Sequence, residues 1–321
     1  MTSLASDSLL PLVVPGIVSL SGPLELISVP DALVASGAAY FVDYRASDQA
    51  IILDFRDPSV IALRLAGDCC RLSCAFLQTV SAIGPQIANR NNVAWCLVKL
   101  YYSAFYAGNA LIRLLGESCS YFEARHIDRV SKLGLAQGSG VPPFQVGAGL
   151  FHCVVEGAAL AATRVRAGAG GTHEHFWDVF AKFLDRTGRR ILQGPLSQAD
   201  SQAVCSQLDK IRNIMQRGSE FSWLSLIRND LQYKHKYGVW FPERINKKEH
   251  NLLIKCCMSW QNDPMTIVLD APSPKNINTF AAACSFIISL CYSLLVKIGL
   301  GSSSKNFANY GPIAFMNEFN G

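Results

Sequence analysis

The chain has 321 residues, half of them hydrophobic and only 17% charged, with 29 Lys and Arg against 24 Asp and Glu. Such a composition excludes a disordered or linker-dominated protein, because disorder goes with few apolar residues and high net charge; the length is ample to bury a core without disulfide or metal staples. The formal charge of +5 is small, but between Ala181 and Lys255 there are 14 Lys and Arg against 7 Asp and Glu, a field that suits a polyanion or a solvated helical face.

Residues 1–56 read as mostly β. The N-terminal stretch Met1–Leu20 is apolar but has no Lys or Arg ahead of it and carries Asp7, so it makes a poor secretory signal. Gly16–Val29, Ala39–Tyr44 and Ala50–Phe55 carry β-branched or aromatic runs, with Arg45–Asp48 as a turn, and predict a small sheet or a pair of hairpins. The period then changes. Asp57-Pro58 is a helix start, and Ala62, Leu65, Ala66, Cys69, Leu72, Ala75, Phe76 and Val80 follow at helical spacing until Gly84-Pro85. A second helix, apolar on nearly every side, is predicted from about Asn91 to Leu115, stopping at Gly116 and forming an antiparallel hairpin with the first.

The segment 117–172 differs in kind and is expected to be an insertion. Gln137–Pro143 and Ala167–Gly171 read as loops, and Gly149–Glu156 and Ala161–Arg166 as two strands. Helices resume at Thr172 and Ser197, and a further one is predicted over Ser219–Tyr237, closed by Gly238. Asn276–Val296 is 21 residues without a charge, long enough to cross a bilayer. Its six Asn, Thr and Ser residues and its Ala-Ala-Ala-Cys-Ser centre instead favour a buried bundle helix, and no membrane partner is expected. A Gly-, Ser- and Asn-rich tail follows. The fold class is therefore mainly α: a β-rich segment over 1–56, then a helical domain over 57–321 interrupted at about 117–172.

Eleven irregularly spaced cysteines include no CxxC pair, which excludes a zinc ribbon and fits a reduced, cytoplasmic compartment. His173 and His175, with His152, do not make a metal site, because i, i+2 side chains on a helix diverge by about 200°. Gly168–Gly171 lacks the Lys-Ser/Thr of a phosphate loop. Phe176, Trp177, Phe180 and Phe183, at helical spacing, read as core packing. No metal and no cofactor are expected.

One segment carries chemistry: Leu226-Ile-Arg228-Asn229-Asp230-Leu-Gln-Tyr-Lys234-His235-Lys236-Tyr237-Gly. On a continuous helix, Arg228 and His235 would lie about 20° apart in azimuth and about 10.5 Å apart along the axis, on one stripe bordering the core-facing arc of Leu224, Ile227 and Leu231. A permanent guanidinium and a titratable ring on one cleft edge suit phosphoryl chemistry without a metal. The histidine moves a proton near neutral pH, and the arginine holds a phosphate and offsets developing charge. RNA supplies its own nucleophile, the 2′-hydroxyl. An amphipathic helix also acquires such a pair with no function.

Arg228-Asn229-x5-His235-x-Tyr237 resembles the RNase motif of HEPN domains, an arginine and a histidine with four to six residues between them, often with Asn after the Arg. The run Tyr101-Tyr102-Ser-Ala-Phe105-Tyr-Ala-Gly-Asn-Ala-Leu111 is similar to a second helix of many HEPN proteins. The resemblance covers about 57–116 and 172–240. It implies an up-and-down bundle that forms a homodimer around a shared RNA cleft, and a metal-independent endoribonuclease of toxin or defence type with an antitoxin or defence-system partner. By the same resemblance Arg228 would stabilise the phosphate, His235 would be acid or base, and Asn229 would orient them. Lys234, Lys236 and Tyr237 would contact substrate. The pattern Arg228-Asn-Asp-x-x-Tyr233 instead resembles HEPN proteins that lack the histidine, and implies a non-catalytic RNA- or partner-binding regulatory module.

Overall fold

Asp57 caps the first long helix by accepting a hydrogen bond from the Ser59 amide at 2.8 Å, and Pro58 occupies the first turn, where its missing N–H costs nothing. The computed structural model describes residues 3–35, 38–138, 146–165, 171–269, 276–301 and 305–320. Their helices are α1 (Leu4–Leu9), α2 (Val29–Val34), α3 (Pro58–Ser81), α4 (Gly84–Ile87), α5 (Val93–Leu114) and α6 (Ala124–Ala136). After these come α7 (Thr172–Leu192), α8 (Gln198–Met215), α9 (Trp223–Lys234), α10 (Lys247–Met258), α11 (Ile277–Gly301), α12 (Phe307–Tyr310) and α13 (Pro312–Asn320). The strands are β1 (Phe41–Arg45), β2 (Ala50–Asp54), β3 (Glu117–Phe122), β4 (Gly149–Glu156) and β5 (Ala159–Arg164).

The protein is mainly α, with α3 and α5 forming the expected antiparallel hairpin. Ser103 donates to the Phe76 carbonyl at 2.8 Å, and further along Arg113 meets Asp68, so one helix runs up as the other runs down. The core closes around most of α5, as its apolar circumference demands, and leaves the stripe of Trp95, Lys99, Tyr102 and Tyr106 partly open. Gly108 allows Phe176 of α7 to come close, since a Cβ there would stand 3.1 Å from that ring.

The first 56 residues differ from the expectation of a mostly β segment. Only β1 and β2 form there, while Gly16–Val29 makes a 3-10 turn and extended chain leading into α2. Pro23 interrupts this stretch and Pro15 and Pro30 flank it, and each lacks the donor a strand ladder needs. Ser28 meanwhile caps α2 by accepting from the Asp31 amide.

The strands of the middle segment fall within two residues of expectation. Their hairpin does not stand apart from the N-terminal one: a single antiparallel sheet runs β1-β2-β5-β4-β3, with Ile51 opposite Ala162 and Cys153 opposite Ser118. The helix α6 and the strand β3 in this segment were not among the expected elements, although Ile127, Val130 and Leu133 of α6 stand at helical spacing. Of the two loops expected there, 139–145 and 166–170 lie outside the described residues.

Helix α11 has the length and hydropathy of a membrane span, yet 83% of its most apolar 18-residue window is buried inside the fold. Two of its hydroxyls bond to neighbouring backbone: Ser285 donates to the Cys256 carbonyl at 2.8 Å and Ser289 to the Asn262 carbonyl at 2.6 Å. All eleven cysteines are free.

The deepest ion pair lies between the two long helices. Asp68, fully buried, accepts from Arg113 Nε at 2.6 Å and from Arg71 Nη2 at 2.6 Å. Arg113 also reaches the Asn109 carbonyl and the Ser120 hydroxyl. Burial alone would raise the Asp68 pKa, but the two guanidiniums outweigh it and hold the carboxylate below its ordinary range. Removing one partner leaves a buried charge uncompensated. Asp68→Ala is therefore expected to cost about 3–5 kcal/mol, read as a fall in the urea midpoint.

Candidate functional site

Helix α9 buries Trp223, Leu224, Ile227 and Leu231, and this apolar face carries Arg228 inward with it. The guanidinium carbon lies 5.2 Å from the ring centre of Tyr101 and 5.6 Å from that of Tyr102, both on α5. The side chain is 8% exposed, and its Nε has no hydrogen-bond partner among the described residues. A buried guanidinium against two aromatic faces gains cation–π attraction, but an orphaned buried donor is uncommon and calls for an explanation.

Helix α7 supplies the rest of this cluster. The Tyr101 hydroxyl accepts from the Trp177 indole N–H at 3.0 Å and lies 3.0 Å from His173 Nδ1. Phe105 stacks on the His173 ring with centres 4.1 Å apart. Burial, and then the positive charge of Arg228, push the His173 pKa down to about 4, so the ring is neutral at pH 7. The neutral ring and the phenol share one proton across the Tyr101–His173 contact, beside the hydrogen bond that the phenol oxygen accepts from Trp177. Burial pushes the Tyr101 phenol up to about 12, which keeps that proton in place.

His235 has other surroundings. The expected helix over Ser219–Tyr237 is shorter, because α9 ends at Lys234 and His235 adopts a left-handed conformation with φ 47° and ψ 37°. Tyr237 (φ 69°) and Gly238 (φ 68°) are left-handed too. The two-turn stripe that would align Arg228 with His235 therefore does not form. The exposed His235 ring tilts against Trp240 at 5.1 Å, while Arg228 faces the tyrosines. Trp240 is fixed in turn by its indole N–H, which donates to the Leu231 carbonyl at 2.8 Å, and by an edge contact with Trp95.

Asn229 is half-buried on the neighbouring azimuth. Lys234 and Lys236 both pair with Asp230, each at 2.9 Å, and so share one carboxylate rather than standing free. Burial opposes ionisation of Asp230, but the two lysines outweigh it and hold its pKa below the usual value. Tyr237 packs beside the same carboxylate; burial first, and then that negative charge, push its phenol up to about 12. Two lysines against one aspartate leave this end of α9 net positive.

The sequence reading set aside His173, whose visible signal was its place one turn before the aromatic run Phe176-Trp177. Among the described residues no group of three His, Cys, Asp or Glu side chains is arranged to hold a metal ion. No family model, no curated protein and no solved structure matches the chain.

A neutral, half-buried His173 makes stability pH-dependent. Its pKa is depressed in the fold, so the unfolded chain binds the extra proton as pH falls. The contribution is complete above about pH 6.5, the ordinary histidine value, and is lost as pH drops toward about 4. His173→Phe, which keeps the stack on Phe105, is expected to flatten the fall in thermal midpoint across that window; a midpoint series from pH 7 to pH 4 checks it.

Proposed function

We propose that the chain is a metal-independent endoribonuclease of HEPN type, acting as a homodimer in a toxin or defence setting. The observation that carries this reading is the convergence of the two segments behind the resemblance. Arg228 of the Arg-Asn motif lies against Tyr101 and Tyr102 of the Tyr-Tyr helix, with its Nε unbonded.

In this reading the tyrosine cluster opens to let an RNA phosphate reach the buried Arg228 guanidinium, and the lysine pair on Asp230 adds salt-dependent, sequence-independent attraction. The 2′-hydroxyl attacks the adjacent phosphorus, its proton passing to a base. The bond to the 5′-oxygen breaks, an acid protonates the leaving oxygen, and a 2′,3′-cyclic phosphate remains. Arg228 offsets the charge gathered on the phosphoryl oxygens. His235, exposed on the rim, is the group that transfers protons. It reaches the phosphate by leaving Trp240 or from the second subunit of the dimer.

A second reading is favoured by the place of His235. Its ring rests on Trp240 while Arg228 faces the tyrosines, which suits a non-catalytic HEPN-like module that binds RNA or a partner protein.

Cleavage of bulk RNA by purified protein in a chelator separates the two. The nuclease reading expects activity, with Arg228→Ala and His235→Ala each lowering the rate by roughly 100-fold or more at unchanged circular dichroism. Parent protein that binds RNA without cutting it, at any concentration that supports a dimer, leaves the binding module in place of the nuclease.

A further inference from the structure

A second cluster of ionisable groups lies on the sheet side of the molecule. Glu117 opens β3 directly after Gly116, whose φ of +90° makes the corner out of α5. His152 sits on the neighbouring strand β4, and Arg186 projects from α7. The Glu117 carboxylate is 7% exposed and accepts from His152 Nε2 at 2.6 Å and from Arg186 Nη2 and Nε at 2.6 and 3.1 Å. Burial would raise its pKa, but these hydrogen bonds outweigh that and keep it ionised. A carboxylate can only accept here, so His152 carries a proton on Nε2.

This trio stands between two clefts. The larger holds about 930 Å³ and is walled by Leu12, Val14, Leu115 and Val154, with Glu117, His152, Arg186 and Arg190 as its polar groups. The smaller, of about 350 Å³, shares His152 and Arg186 and adds Arg164, His175 and Lys182. A mostly apolar cavity of several hundred Å³ with a few convergent polar groups has the build of a small-molecule site.

Charge selects the ligand. The large cleft carries two guanidiniums against one carboxylate. Arg190 meets no carboxylate among the described residues; it makes one long hydrogen bond, 3.3 Å, to the Leu12 carbonyl. Arg190 follows Arg186 by four residues, so the two cations sit one above the other on the same face of α7.

We propose that the large cleft binds a small organic anion with an apolar body and a single phosphate or carboxylate head. The head bonds to Arg190 and the outer edge of Arg186, and the body lies against Leu12, Val14 and Val154. The Glu117–His152 pair fixes Arg186 in place from behind. This site is separate from the Arg228 cluster and does not depend on RNA cleavage.

Calorimetric titration of the full chain, without RNA, tests it with three probes: inorganic phosphate, a nucleoside monophosphate and decanoate. At least one organic anion is expected to bind with a Kd below about 1 mM, and inorganic phosphate roughly tenfold more weakly or worse. The better organic probe identifies the head and the body. Arg190→Glu, which reverses an exposed charge, and Val154→Trp, which fills the cleft, are each expected to weaken binding by roughly tenfold or more. Arg164→Glu, on the smaller cleft only, should leave it unchanged. Absence of binding by both organic anions overturns the proposal, as does inorganic phosphate binding as well as they do, or parent-like affinity in Arg190→Glu and Val154→Trp. None of these variants touches α9, so the outcome is independent of any nuclease assay.

Discussion

The ion pair between Asp68 and Arg113 fixes how α3 lies on α5, and most of the molecule follows from that register. Helix α5 is apolar on nearly all sides, and apolar contact has no direction: such a helix could slide or rotate against its neighbours at small cost. A buried guanidinium that must meet one carboxylate, one backbone carbonyl and one hydroxyl removes that freedom. Buried ion pairs add little net stability compared with well-packed apolar residues, but breaking one is expensive, and that asymmetry selects a single arrangement. Ser103, bonded to the Phe76 carbonyl, sets the same register two and a half turns away.

With α5 held, Tyr101 and Tyr102 have one place to be, at the crossing of α5 with α7 and α9. The cluster around Arg228 is then assembled from three helices, none of which supplies it alone. Helix α7 serves two sites at once. Its first turn gives His173 and Trp177 to the tyrosine cluster, and about 20 Å further along, Arg186 and Arg190 line the clefts beside the sheet. The helix is amphipathic, so its buried aromatic face anchors both ends while its charged residues stay available.

Sequence signals were strong where local chemistry decides the structure. Asp57-Pro58 and Ser197 mark helix starts because capping is a matter of three or four residues, and the strands β4 and β5 follow from their side-chain pattern. They were weak where distant contacts decide. Gly16–Val29 has strand-like side chains, but Pro23 and the Ser28 cap override them. The sheet joins β2 to β5 across more than a hundred residues, which no local pattern records. At the site, the azimuth of Arg228 toward the core was legible from helical spacing. The place of His235 was not, because it turns on two left-handed residues that are neither Gly nor Asn.

That helix end is held by side chains against the preference of the backbone. A left-handed conformation at a residue with a Cβ costs about 1–2 kcal/mol, and His235 and Tyr237 both adopt it. Against this stands the hydrogen bond from the Trp240 indole to the Leu231 carbonyl, about 0.5–1.5 kcal/mol, which takes over an acceptor that a longer helix would have paired with residue 235. The edge contact of Trp240 with Trp95 adds about 0.5–1.5 kcal/mol more. The opposing contributions are of the same size, so the position of the His235 ring is set by a near balance, with Trp240 as the residue on which it turns.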